Sequence, residues 1–134
     1  MATVKGILVN DGGAPARIIN FTAGEAISAG EVLKVSSAGK AMLQTDNSLP
    51  PLGIALTDAA SGAMCSVVTG SGVVLYAITL AVTAGQSLAT VDATPGALDN
   101  STGGGGSGDD TPVFVAIALE TQTTVGALTK VMVV

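Results

Sequence analysis

Ile27-Ser28-Ala29-Gly30-Glu31-Val32-Leu33 recurs as Val82-Thr83-Ala84-Gly85-Gln86-Ser87-Leu88. Further on, Leu52-Gly53-Ile54-Ala55-Leu56 recurs as Val115-Ala116-Ile117-Ala118-Leu119, and Gly62-Ala63-Met64 with Ser66-Val67-Val68 as Gly126-Ala127-Leu128 with Lys130-Val131-Met132. Matching blocks in the same order define a weak internal repeat of a small β unit, whose first copy spans residues 27–68. The register slips where the second copy carries the Gly-rich insert 101–110, opposite residues 44–50 of the first. Its Gly/Ser composition marks a flexible, exposed tip.

β-branched residues in period-two runs, with turn residues between them, predict an all-β fold: a small β-barrel or β-tulip-like domain built on the repeat. Expected strands are residues 5–9, 16–21, 32–35, 40–43, 52–56, 64–68, 73–79, 87–91, 113–119 and 128–133. Asp11-Gly12-Gly13, Ser36-Ser37-Ala38-Gly39 and Gly70-Ser71-Gly72 supply turns, and residues 58–62 form a loop or one helical turn. Residues 1–15 read as an extended N-terminal arm and first strand, and residues 16–134 as a single β domain.

Hydrophobic residues make up 48% of the 134 residues but aromatics only 2%, so the core rests on Ala, Val, Ile, Leu and Met. Each aromatic would bury about 150–250 Å², far more than Val or Ala, so such a core leaves stability to be completed by another chain. The net charge of −5 provides no basic stripe and speaks against nucleic acid. Mean hydropathy is +0.62, yet the densest apolar run, residues 73–82, is half of the roughly 20 residues a spanning helix needs, and no membrane is expected. No secretory signal is read at the N-terminus, so the single Cys65 fits a reducing compartment, and the Asn20 and Asn100 sequons are chance matches.

Histidine is absent, which removes Ser-His-Asp and Cys-His chemistry and His-ligated zinc. Cys65 alternates with apolar residues and reads as a small core side chain. Gly39-Lys40 fails as a phosphate loop, because Lys34 stands where glycine is required and Ala41 where Ser or Thr would hold magnesium. The insert, ending in Asp109-Asp110, resembles part of a calcium β-roll repeat, but one turn supplies only part of a cation cage, so a linker is the better reading. The carboxylates fall mostly in turns, where solvation explains them, so no catalytic residue, metal, cofactor or small-molecule substrate is expected and the chain is read as a non-enzyme.

The run from Thr22-Ala23-Gly24-Glu25 through Ile27-Ser28-Ala29-Gly30-Glu31-Val32-Leu33-Lys34-Val35, then Gly39-Lys40-Ala41, Pro51-Leu52-Gly53-Ile54-Ala55-Leu56 and Gly72-Val73-Val74, resembles the small capsid decoration (cement) proteins of tailed bacteriophages. The resemblance covers about residues 22–76 directly and the rest through the repeat; the Gly-rich insert and scarce aromatics are unmatched. It implies a virion protein, made in the host cytoplasm, that sits as a homotrimer on the outer capsid surface and stabilises the major capsid protein lattice. On this reading Ala2, Thr3, Val4, Lys5, Ile7 and Val9 contact the capsid or an adjacent protomer by strand addition, and Val73, Val74, Leu75, Tyr76 and Ile78 lie in the core or at the trimer seam. The alternatives are a surface binding or adhesion module, another virion part such as a head-fibre base, and an accessory β-clip domain of an enzyme. An adhesion module for sugars would normally offer aromatic platforms, and this chain has only Phe21, Tyr76 and Phe114.

Overall fold

Alternating apolar residues, broken by glycine turns, form ten strands and no helix among the described residues. The structure, a computed structural model, describes residues 17–44, 51–90, 94–100 and 114–134. In the first half lie β1 (Arg17–Thr22), β2 (Val32–Val35), β3 (Ala41–Leu43), β4 (Gly53–Ala55) and β5 (Met64–Thr69). The second half holds β6 (Val74–Thr79), β7 (Ser87–Thr90), β8 (Leu98–Asn100), β9 (Phe114–Ala118) and β10 (Ala127–Val133).

The two halves share one topology. The first sheet runs β1-β5-β4-β2-β3, and the second runs β6-β10-β9-β7-β8 and closes as a barrel through a parallel β6–β8 link at Thr79↔Leu98. The first sheet curls until its outer strands meet at the equivalent parallel bridge, Ala23↔Ala41. Turns repeat bond for bond: Gly30 N–H donates to Ala55 O and Gly85 N–H to Ala118 O, each at 2.8 Å, while Ile27 exchanges bonds with Ala59 as Val82 does with Gln122. Even side chains correspond, since Glu31 Oε1 accepts from Ser28 N–H at 2.6 Å and Gln86 Oε1 from Thr83 N–H at 2.7 Å. The repeat and the all-β barrel class read from the sequence are thus borne out.

β8 is absent from the sequence expectations, because Pro95, Gly96, Asp99 and Asn100 dress it as a turn. Gly39 and Gly96, both at positive φ two residues ahead of β3 and β8, are the matched pair that marks it. The expected strand 5–9, the arm 1–15 and the insert 101–110 lie outside the described residues. Residues 58–62 hold an isolated bridge at Ala59 and a turn, with no helix.

Each half fills its interior with its own alternate residues. Ala23, Ile27, Leu33, Ala41, Ala55, Cys65 and Val67 pack inside the first. The second encloses Leu75, Ala77, Val82, Leu88, Leu98, Ala116, Ala118 and Val131, and this cluster also takes in Val32, Ile54 and Val68 of the first half. Within the second barrel Thr79 and Thr129 are fully buried and their hydroxyls bond at 2.6 Å, whereas Ala23 and Cys65 hold the matching positions of the first half. Removing one hydroxyl strands the other, at a cost of about 1–3 kcal/mol, while removing both is nearly neutral. In urea unfolding, Thr79→Val is therefore expected to be destabilised by that amount and the double variant Thr79→Val with Thr129→Val to recover most of it.

Candidate functional site

The residues expected at a core or seam fall on β6 and just before it. Val73, Val74 and Leu75 are buried, and Tyr76 and Ile78 half-buried. Ala2, Thr3, Val4, Lys5, Ile7 and Val9 lie outside the described residues. Cys65 is fully buried, its Sγ 3.8 Å from Thr57 O, and burial pushes its thiol pKa up, away from nucleophilic use. Among the described residues no three His, Cys, Asp or Glu side chains cluster as a metal site would require. Gly39 turns at a φ of 76° with Lys40 exposed beside it.

What the fold does build is a seam between the halves. Successive side chains along a strand point alternately inward and outward, so a strand whose two faces are both buried must be covered from outside its own sheet. Val32, Ile54 and Val68, opposed across β2, β4 and β5, form such an outward row and are at most 2% exposed. The second half covers them. Ile78 N–H donates to Gly30 O and Val32 N–H to Gly96 O, both at 2.8 Å, and Gly96 N–H donates to Gln44 O at 2.9 Å. Close approach makes glycine necessary here: a Cβ on Gly30 would lie 2.5 Å from Leu128 Cδ2, and one on Gly96 2.9 Å from Glu31 Oε2. Burial at this contact raises the Glu31 carboxyl pKa above the ordinary carboxylate range; the Ser28 N–H bond opposes the shift, and the charges of Glu25 and Asp58 add to it.

A groove of about 220 Å³ opens at one end of the seam, lined by Ile54, Val68, Gly70, Val115 and Val133 among others, with no ionisable side chain. Separately, Ile18 and Ile19 on β1 and Met64 on β5 are exposed, Met64 at 61%. The sequence reading missed this second set. Its signal was the repeat itself, which aligns Met64 with Leu128, a seam residue.

The sequence matches the model of the phage cement protein family over residues 13–133. The chain belongs to that family. As a cement protein it is a structural, capsid-binding part of the virion. No curated protein matches it significantly. Among solved structures the cement protein is similar to the head fibre gp8.5 N base of bacteriophage phi29, with a TM-score of 0.61 and 17% identity, over 90% of this chain and 95% of that one. At that identity the likeness establishes the fold alone.

Proposed function

We propose that the chain sits on the outer face of a phage head as a homotrimer and braces the lattice of the major capsid protein. The family match over residues 13–133 carries the reading. The second sheet is closed, whereas the first keeps β1 and β3 as its edge strands, joined at the single bridge Ala23↔Ala41. In this reading residues 1–9 reach a capsid subunit or an adjacent protomer by strand addition. Many symmetric copies make individually weak contacts collectively strong.

The test mixes purified protein with heads that lack it and measures occupancy after sedimentation. The full chain is expected to bind; a variant without residues 1–9 is expected to fold, by circular dichroism, and leave the heads bare. If the full chain does not bind, the cement reading fails. A truncated chain that binds at normal occupancy removes only the arm. A second reading, the base of a head fibre, draws support from the fold shared with the phi29 base. Imaging decorated heads separates the two, since an appendage rising beyond the barrels favours the fibre base.

A further inference from the structure

The internal repeat makes the seam a prediction about the next molecule. Inside one chain, the second half presents Ile78, Leu128 and the Gly96 turn to the first half's Gly30 turn and its row Val32, Ile54 and Val68. The same surfaces exist again, uncovered. On the first half, Thr22, Met64 and the Gly39 turn are the counterparts of Ile78, Leu128 and the Gly96 turn. On the second half, Gly85, Ser87, Ile117 and Met132 are the counterparts of Gly30, Val32, Ile54 and Val68.

Exposure follows this division. Leu128 is half-buried but Met64 is 61% exposed. Val32 is fully buried but Ser87 is exposed, and Ile54 and Val68 are buried where Ile117 and Met132 are only half-buried. A Cβ on Gly30 or Gly96 meets the opposite half, whereas one on Gly85 or Gly39 meets nothing within 4 Å. Contacts in the seam are not reciprocal, so the halves are joined head to tail. A face-to-face pairing would have placed Gly39 and Gly85 in it too.

We infer that protomers join by reusing this seam: Met64, Thr22 and the Gly39 turn of one copy seat on Gly85, Ser87, Ile117 and Met132 of the next. Such heterologous contacts close into rings or run on as filaments. The inference deepens the trimer proposed above and rests on that reading for closure at three copies. Its chemistry suits the faces: Met64 and Ile18 supply apolar surface, and the exposed turn at Gly39, whose N–H donates to Ser36 O, turns its carbonyl to the Ser87 strand as Gly96 does to Val32.

Light scattering of purified variants tests the inference. Met64→Lys breaks one face and Ser87→Lys the other, both at exposed positions, so each should remain folded and show a mass about threefold below the wild-type trimer. Val125→Lys, at a site 66% exposed but outside both faces, should remain trimeric. Mixing Met64→Lys with Ser87→Lys should yield a two-chain species, because each retains the face the other lacks. A monomeric wild type overturns the trimer reading and this contact together. A trimer that survives Met64→Lys, or that Val125→Lys dissolves equally, overturns the contact alone. Loss with Met64→Lys but not with Ser87→Lys, or a mixture that stays monomeric, overturns the head-to-tail arrangement.

Discussion

Ile54→Ala is expected to cost about 2–5 kcal/mol and to lower the midpoint of a melt that stays a single transition. Ile54 is 1% exposed and lies on β4, yet it packs in the cluster that fills the second barrel. Truncating it removes apolar contacts and leaves a cavity at the point where the halves meet. For a chain of this size the loss corresponds to a fall on the order of 10 °C. The shared cluster is what makes the transition one event, because parting the halves uncovers both the first half's row Val32, Ile54 and Val68 and the Ile78 and Leu128 face of the second. Calorimetry with far-ultraviolet circular dichroism checks it. Two separated transitions in the variant, or no change in midpoint, would show that the seam does not couple the halves.

The sequence made the repeat visible because the repeated residues are those with the least freedom. Gly30 and Gly85 stand at φ of 94° and 89°, and Gly62 and Gly126 at 86° and 82°, where a side chain is strained. Leu33 and Leu88, Ala55 and Ala118, and Val67 and Val131 point into the two interiors, where volume is fixed. Less constrained positions drifted. β8 lost its strand-like residues, since Asp99 and Asn100 satisfy turn chemistry equally well. The outward rows were illegible for a different reason. Val32-Leu33 and Ile54-Ala55 are consecutive apolar pairs, which tell that both faces of a strand are buried but not what covers the outer one. Only the three-dimensional arrangement separates Val32, covered by the second half, from Ser87, its open counterpart. Likewise, Ile18 and Met64 read as ordinary strand residues until they are set beside their less exposed counterparts, the buried Val74 and the half-buried seam residue Leu128.

Gly30→Ala is expected to lose about 2–5 kcal/mol of stability, and Gly85→Ala only about 1–2 kcal/mol, when both are placed in the monomeric Met64→Lys background. The two glycines close the same turn at nearly the same φ, so the backbone strain of an added side chain is common to both. They differ in what faces them. At Gly30 the new methyl would stand 2.5 Å from Leu128 Cδ2 and 3.4 Å from both the backbone nitrogen and Cγ1 of Ile78; at Gly85 it would meet open space. The Leu128 methyl can swing aside, but doing so opens the seam it fills, and the Ile78 nitrogen is held by its 2.8 Å bond to Gly30 O. The excess loss at Gly30, read from urea unfolding, therefore measures how tightly the halves are packed. Equal losses would mean that the seam yields freely to one methyl group. In the wild-type background Gly85→Ala should also weaken self-association, because there the Met64 side of the next protomer occupies the space that is open in the isolated chain.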